Sequence, residues 1–341
     1  MRLSVLDRSR TRKGASHADA LRATVEFAKQ AEALGYHRFW VSEHHSVPGV
    51  AGSAPTVLAA AIAAATDHIR VGTGGVMLPN HQPLVVAEQF GVLESLFPGR
   101  IDMGLGRSVG FTGGVRQALG RDREDADRFG EQVRELLGFL DGSQRAHPGV
   151  HAYPAEGLGV PPFILATGTG ADLAAELGLP LVIGAVRGEQ RMLDAIGRYR
   201  ENFVPSHWSP YPYVVVSATV AAAETTEEAE RLLVSEAWSA AYSRTHGVFP
   251  PLLPTAEVLA LDMTAKEREL FTHAMRDQIR GTGDEAAREL TGLVERTGAD
   301  EVLLSTSGYD RSELLDSYER LAVRLLNRSA TTTNAATVSQ M

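Results

Sequence analysis

A carboxylate and two imidazoles follow an apolar run in the segment Trp40-Val41-Ser42-Glu43-His44-His45. An imidazole titrates near neutral pH, so it can donate or accept a proton, and a neighbouring carboxylate can orient it. The same residue types also bind metal ions, but adjacent residues of a strand point to opposite sides, which disfavours one ion shared by His44 and His45. A purely structural hydrogen bond is the third interpretation. The segment favours a catalytic or substrate-contacting histidine over both alternatives.

A second group of candidate residues combines glycine with hydrogen-bond donors. The segment Thr167-Gly168-Thr169-Gly170 joins an apolar run to a helical pattern. The free N–H groups of a first helical turn, together with hydroxyls, can bind an anion such as phosphate, although a tight turn with a threonine N-cap explains the segment equally well. Arg107 follows Gly104 and Gly106. Its guanidinium offers several N–H donors in one plane, which suit the oxygens of a phosphate. Arg107 therefore favours a phosphate site over a surface ion pair.

The pair Gly74-Gly75 ends another apolar run. A plain turn is the simpler interpretation, and an unusual backbone, even a non-proline cis peptide bond, is the alternative. In either case the absent side chains leave room for a flat ring.

These candidates must be positioned by regular elements, and apolar runs alternate with helical spacing along most of the chain. Strands are predicted at residues 3–7, 38–42, 69–73, 101–105, 163–166, 181–183, 213–219 and 301–305. Helices are predicted at residues 18–34, 54–65, 84–96, 125–140, 171–177, 188–202, 226–243, 284–296 and 312–326. The alternation predicts a single α/β domain over residues 1–328, a (β/α)₈ TIM barrel. In such a barrel Glu43, Gly74, Arg107 and the 167–170 turn all lie at the C-terminal mouth.

Three segments interrupt this pattern. Residues 108–123 and 246–275 are longer than ordinary connections, and we expect them to be lids over the barrel mouth that are mobile without ligand. Residues 329–341 are rich in Thr, Ala and Ser without apolar periodicity, so a disordered tail is predicted there.

Composition excludes several classes of function. The 341 residues include no cysteine, which excludes disulfides, thiolate metal sites and cysteine nucleophiles. The formal net charge of −9 disfavours nucleic acid as a partner. The apolar stretch at residues 57–65 is too short to span a bilayer, and the N-terminal residues do not resemble a signal peptide. A cytoplasmic location is therefore expected, with no membrane contact.

The ordered motifs of the chain resemble those of the bacterial luciferase-like, flavin-dependent monooxygenases over about residues 1–326. The resemblance rests on the 40–45 segment above and on three further segments, Val71-Gly72-Thr73-Gly74-Gly75-Val76-Met77-Leu78-Pro79, Pro98-Gly99-Arg100-Ile101-Asp102-Met103-Gly104-Leu105-Gly106-Arg107 and Ala174-Ala175-Glu176-Leu177-Gly178-Leu179-Pro180. Within the family, the chain is most similar to single-chain members of bacterial secondary metabolism.

The resemblance implies an enzyme that uses reduced FMN and O₂ through a flavin C4a-hydroperoxide. It implies that Arg107 and the turn of Thr167, Gly168, Thr169 and Gly170 hold the FMN phosphate. Gly74 and Gly75 would form a bulge or cis bond beneath the isoalloxazine. His44 matches the family's active-site histidine, with Glu43 orienting its imidazole, and His45 is the weaker catalytic candidate.

The chain also departs from the light-emitting luciferases, because Gly106 stands where they carry a cysteine. This difference argues against light emission. No Gly-x-Gly-x-x-Gly turn for a nicotinamide dinucleotide is evident, so reduced flavin is expected from a separate reductase. The expected substrate is a hydrophobic metabolite, such as an aromatic polyketide, that is hydroxylated or epoxidised. There are two alternative functions, an F420-dependent oxidoreductase and a non-catalytic flavin-binding protein. The resemblance also implies a possible homodimer, because the family often forms dimers.

Overall fold

Strands and helices alternate along the computed structural model, which describes residues 1–186, 188–276 and 278–326. The strands in chain order are β1 (Arg2–Asp7), β2 (Arg38–Val41), β3 (Arg70–Thr73), β4 (Val76–Met77), β5 (Ile101–Gly106), β6 (Pro162–Ala166), β7 (Leu181–Gly184), β8 (Val214–Ala218), β9 (Val220–Ala223), β10 (Ile279–Thr282) and β11 (Glu301–Leu304). The tail predicted to be disordered, residues 329–341, lies outside the described residues.

The helices follow the strands in nearly every repeat. They are α1 (His17–Ala33), α2 (Pro55–Ala65), α3 (Pro83–Leu96), α4 (Gly113–Ala118), α5 (Phe129–Asp141), α6 (Gly170–Glu176), α7 (Glu189–Glu201), α8 (Thr226–His246), α9 (Thr255–Leu259), α10 (Ala265–Arg276), α11 (Gly283–Thr297) and α12 (Arg311–Leu325). Short 3₁₀ helices span Leu78–Asn80 and Glu124–Arg128. No helix among the described residues is both long and apolar enough to cross a bilayer.

The fold is a (β/α)₈ barrel, as the sequence predicts. Its eight parallel strands are β1, β2, β3, β5, β6, β7, β8 and β11. All four residues of β2 and all four of β11 are buried, which is typical of parallel strands covered on both faces. The short strand β4 pairs with β5, and β9 with β10 forms a separate parallel pair that the apolar pattern does not predict.

The described residues group into two units that alternate along the chain. The first unit comprises Met1–His37, Val47–Ala51 and the chain from Ala218 onward, and the second comprises Arg38–Ser46 and Gly52–Ser217. In the first unit β1 pairs with β11. In the second unit β2 pairs with β3, β3 with β5, and β5 through β8 pair in sequence. A single domain over residues 1–328 stays a prediction.

Glycines permit a very close approach between β3 and β5 within the second unit. A Cβ atom at Gly104 would lie 2.0 Å from the carbonyl oxygen of Thr73, and one at Gly72 would lie 2.3 Å from that of Asp102. The Thr73 hydroxyl donates to the Gly104 carbonyl at 2.8 Å and accepts from the Gly104 N–H at 3.1 Å. We call Gly72, Thr73 and Gly104 the glycine seam, since no larger residue fits at its two glycines.

A buried ion cluster lies near the N-terminal ends of β2, β3 and β5. The carboxylate of Asp102 is fully buried. Its Oδ1 accepts from Arg70 Nε at 2.9 Å and Nη2 at 2.6 Å. Its Oδ2 accepts from Arg38 Nη1 at 2.7 Å and from the indole N–H of Trp40 at 3.0 Å. The Arg38 guanidinium also lies 5.0 Å from the ring centroid of Phe163, so this charge is compensated on several sides.

The two segments predicted to be lids contain more regular structure than expected. The first, residues 108–123, includes α4, and the second, residues 246–275, begins at the end of α8 and contains α9 and most of α10. Within the first unit, Leu252 accepts from the Lys13 N–H at 2.8 Å and donates to the Thr11 carbonyl at 2.9 Å. These bonds fix the proline-rich part of the second segment. Movement of either segment with ligand stays a prediction.

Candidate active site

Glu43 is the centre of a hydrogen-bonded cluster at the C-terminal end of β2. Its side chain is fully buried, and its Oε1 accepts from His45 Nε2 at 2.7 Å and from His81 Nε2 at 2.8 Å. Its Oε2 accepts from the backbone N–H of Met77 at 2.9 Å. One carboxylate therefore joins three segments: the end of β2, the end of β4 and the 3₁₀ turn before α3. We call Glu43, His45 and His81 the Glu43 cluster.

The pKa of Glu43 is set by two opposing effects. Burial raises the pKa of this carboxyl, because a charged group is disfavoured away from water. The hydrogen bonds from the two histidines, the charge of His81 and the Met77 N–H lower it and outweigh burial. The resulting pKa is about 2, below the ordinary value of 4.5. Glu43 is therefore a permanently ionised acceptor at neutral pH and does not supply a proton there.

His44 has different partners from Glu43. Its Nδ1 lies 3.2 Å from the hydroxyl of Ser42, and its backbone N–H donates to the Gly52 carbonyl at 2.8 Å. The imidazole is partly exposed, whereas the carboxylate of Glu43 is used by other donors. The role of Glu43 in orienting the His44 imidazole stays a prediction.

The peptide bond between Gly74 and Gly75 is cis. The structure therefore has the cis bond that the sequence gives as the alternative to a plain turn, and that the resemblance gives as the alternative to a bulge. The Gly74 N–H donates to the Val41 carbonyl at 2.8 Å, which holds the pair against the end of β2. A Cβ atom at Gly75 would lie 2.7 Å from the Gly104 carbonyl oxygen, so a side chain there would meet backbone.

Arg107 and the 167–170 turn follow neighbouring strands. In the register of β5 and β6, Gly106 lies opposite Leu165, so both Arg107 and Thr167 come just beyond the same edge. The Arg107 side chain is 55% exposed, and its Nη2 pairs at 3.1 Å with Asp127, which is itself exposed. Helix α6 begins at Gly170, and Thr169 makes no side-chain cap bond to it. The arrangement leaves the guanidinium and the threonine hydroxyls accessible to a ligand.

The strand register also joins the two halves of this site. Met77, whose N–H is bound by Glu43, lies opposite Gly106 in the pairing of β4 with β5. The Glu43 cluster, the Gly74-Gly75 bond and Arg107 are therefore at the ends of adjacent strands of the second unit. This edge is the C-terminal one, where barrel enzymes carry their active sites.

Comparison with known proteins identifies the family of the chain. The profile of the family described as luciferase-like monooxygenase matches residues 1–324. The chain belongs to this family. It is 38% identical to the uncharacterized protein YvbT of Bacillus subtilis (strain 168) over 327 residues, which cover 96% of this chain and 97% of YvbT. It is also 38% identical to an N-acetyl-S-alkylcysteine monooxygenase of the same organism over 244 residues, 69% of this chain and 72% of that protein. The crystal structure of apo-MsnO8 is 31% identical, with a TM-score of 0.82, and the match covers 95% of this chain and 97% of MsnO8.

Membership of the luciferase-like monooxygenases makes the chain an oxidoreductase of a flavin- or F420-binding fold. The family predicted from the ordered motifs is confirmed. The site residue that sequence reasoning missed is His81. Its only local signal is a polar residue just after the apolar segment that ends in Leu78-Pro79. Because its partner Glu43 is distant in sequence, spacing alone does not indicate the pair.

Proposed function

We propose that this luciferase-like protein is a two-component monooxygenase that uses reduced FMN and O₂. It inserts one oxygen atom, by hydroxylation or epoxidation, into a hydrophobic small molecule in the cytoplasm. The observation that carries the proposal is that the buried, ionised Glu43, the cis Gly74-Gly75 bond and the accessible Arg107 lie on adjacent strand ends. The family membership supplies the reaction class.

The donors beside β5 and β6 fit the phosphate of FMN. Within the described part of the chain the Arg107 guanidinium pairs with the exposed carboxylate of Asp127, which it can exchange for a phosphate at little cost. A Cβ atom at Gly168 would meet nothing within 4 Å, so there is open space against the backbone of this turn. The exposed hydroxyls of Thr167 and Thr169 add donors. We therefore propose that Arg107 and residues 167–170 hold the phosphate.

The glycines beside β4 fit the ring of the cofactor. Gly75, beside the buried Gly74, is partly exposed at the end of β3, and a Cβ atom at Gly106 would approach no atom closer than the Val76 carbonyl oxygen at 3.7 Å. A flat ring can therefore lie against this surface. Bound reduced FMN would supply the electrons and the O₂-activating ring, and the backbone of Gly74 and Gly75 would orient it.

His44 is the proposed proton-transfer residue. Its partly exposed imidazole is held at Nδ1 by the Ser42 hydroxyl, and an imidazole can gain or lose a proton near neutral pH. Glu43 has a positioning role instead, because its carboxylate is used by His45, His81 and the Met77 N–H. His45 is not the preferred proton donor, because its Nε2 is already bound to the Glu43 carboxylate.

The partners and the substrate complete the proposal. A separate flavin reductase supplies reduced FMN, and the chain acts as a homodimer or monomer without nucleic acid or membrane partners. The substrate is an apolar secondary metabolite, such as an aromatic polyketide of antibiotic biosynthesis. The relative that oxidises N-acetyl-S-alkylcysteines makes thioethers the matched alternative substrate class.

The decisive experiment separates cofactor from substrate. The purified chain is titrated anaerobically with FMNH₂ and, separately, with reduced F420, and binding is followed by absorbance and fluorescence. The FMNH₂ complex is then exposed to ¹⁸O₂ with aromatic polyketides and with thioethers, and the products are analysed by mass spectrometry. We expect FMNH₂ to bind, reduced F420 not to bind, and one ¹⁸O atom to enter the product.

Each other outcome rejects a stated part of the proposal. Binding of reduced F420 alone would replace the monooxygenase with an F420-dependent oxidoreductase. Binding of FMNH₂ with unaltered release of hydrogen peroxide and no labelled product in either substrate class would favour a non-catalytic flavin protein. Label in thioethers alone would keep the oxygenase and reject the polyketide class.

A further inference from the structure

The Glu43 cluster offers three ligand atoms to one small volume. One carboxylate oxygen of Glu43 and one ring nitrogen each of His45 and His81 lie within 4.8 Å of one another. The sequence pointed away from a metal because His44 and His45 diverge, but His81 supplies the second imidazole from a different segment. We propose that Glu43, His45 and His81 form a site for a divalent first-row transition-metal ion of the Zn²⁺ type, a property beyond the oxygenase function.

The donor set selects the class of ion. Two imidazole nitrogens and one carboxylate oxygen suit Zn²⁺, Co²⁺, Ni²⁺ or Cu²⁺, whereas Ca²⁺ and Mg²⁺ require oxygen ligands. Three protein ligands leave further coordination positions for water. The carboxylate of Glu43 is the ligand of the three that supplies the negative charge a divalent ion needs. The charge is already buried, and the ion would compensate it in place of two hydrogen bonds.

An ion between the three ligand atoms requires them to adjust their separations. Zn²⁺ bonds of 2.0–2.1 Å in tetrahedral geometry separate the ligand atoms by about 3.3 Å. The Oε1 of Glu43 now lies 2.7 Å from His45 Nε2 and 2.8 Å from His81 Nε2. Each ring nitrogen would therefore move roughly 0.5 Å away from Oε1. The two ring nitrogens, now within 4.8 Å of one another, would take up the same separation of about 3.3 Å. The His45 and His81 side chains are 21% and 31% exposed, which gives both the freedom to move and a path for the ion.

The backbone holds the ligands in place during this movement. The Oε2 of Glu43 stays bound to the Met77 N–H at 2.9 Å. The His81 N–H donates to the carbonyl of the fully buried Leu78 at 2.9 Å. The imidazoles carry a proton on Nε2 without the ion, because an ionised carboxylate only accepts hydrogen bonds. In a neutral ring that proton moves to Nδ1 when the ion binds, and no proton is lost.

The test is a binding titration on the full chain. The protein is treated with a chelator, dialysed and titrated with Co²⁺, whose ligand-field absorption reports coordination, and Zn²⁺ is then added to displace it. We expect one ion per chain with a Kd below about 100 µM. His81→Gln and His45→Gln should each weaken binding at least about tenfold. His147→Gln is the matched control, because His147 pairs with a single carboxylate, Glu135, at 3.4 Å, and it should bind Co²⁺ as the unsubstituted chain does.

A second measurement needs no substitution and covers the case in which a variant does not fold. Zn²⁺ is added to the chain labelled with ¹⁵N in its 11 histidines, and the ring nitrogens are followed by NMR. Shifts of two imidazoles at Nε2 support the site. A Kd above about 100 µM, unchanged binding in folded His81→Gln, or shifts in none or in other numbers of imidazoles would overturn it.

Discussion

Two buried carboxylates lie at opposite ends of the strands of the second unit, and their partners differ in kind. Asp102, near the N-terminal ends, accepts from Arg38, Arg70 and the Trp40 indole. Glu43, at the C-terminal ends, accepts from two histidines and a backbone N–H. Both carboxylates are almost completely buried, so burial alone does not distinguish them.

The difference lies in whether the partner can change its charge. A guanidinium stays protonated at every pH that the fold survives, whereas an imidazole titrates near neutrality. The arginines therefore give Asp102 partners of fixed charge, whereas the side-chain partners of Glu43 are imidazoles, a group that enzymes use for chemistry. This division matches the general one in barrels, where the N-terminal end serves stability and the C-terminal end serves chemistry.

The largest effect is expected at the N-terminal end. Asp102→Asn removes the fully buried negative charge that accepts from both Arg38 and Arg70, so we expect a loss of about 3–5 kcal/mol in the free energy of unfolding. Urea unfolding checks this value. Asp172→Asn, at an exposed pair with Arg198, is the control and should cost under about 1 kcal/mol. If both variants lost equally little free energy of unfolding, Asp102 would not have the structural role proposed for it.

The next effect is on turnover at the C-terminal end. His44→Gln should lower the rate of substrate oxygenation on the order of 10²-fold, about 2.7 kcal/mol, with the unfolding free energy unchanged, because the imidazole is proposed to move a proton. Product formation with a reductase and NADH measures it, and His147→Gln is the control. If His44→Gln kept full turnover, His44 would have a structural role and no role in proton transfer.

A smaller stability effect is expected at Glu43, and it depends on pH. Glu43→Gln should cost about 2 kcal/mol at neutral pH, because charge-assisted hydrogen bonds from His45, His81 and Met77 become neutral ones. The folded pKa of about 2 lies below the ordinary 4.5, so the advantage of the carboxylate is present above about pH 4.5 and is lost as pH falls towards 2. Urea titrations of both proteins from pH 6 down to about pH 3 should therefore converge. A difference that grows on acidification contradicts the assignment.

The smallest effect concerns cofactor affinity. Arg107→Ala should weaken FMNH₂ binding about tenfold, close to 1.4 kcal/mol, because it removes a proposed phosphate contact, and it should leave stability nearly unchanged. Anaerobic fluorescence titration measures the Kd. Arg134→Ala is the matched control, since Arg134 is also an exposed arginine in a surface pair, with Glu176 at 2.6 Å. Equal FMNH₂ affinity in the two variants would show that Arg107 does not contact the phosphate.

Local patterns explain which parts of this molecule the sequence predicts. Apolar runs and helical spacing indicate the eight barrel strands, because each pattern is completed within one element. The order of the motifs indicates the family, and the polar residues at strand ends identify Glu43, His44 and Arg107 as candidates. Their assigned roles in catalysis and in cofactor binding stay predictions.

The features that the sequence does not predict all depend on contacts between distant segments. Asp102 with Arg38, and Glu43 with His81, are pairs whose members come from different βα repeats. The separate pair of β9 and β10 also forms between distant segments, so no single apolar run indicates it.

The glycine seam has a consequence for how this scaffold can be altered. Since Gly72 and Gly104 leave no room for a Cβ atom, the spacing of β3 and β5 is determined by backbone atoms and not by side chains that substitution can vary. The ends of these strands carry the proposed ring platform and Arg107. Substitutions at other positions can therefore change the side chains around this edge while the separation of the two strands stays the same. In a library of variants, the two seam glycines are the positions to leave untouched.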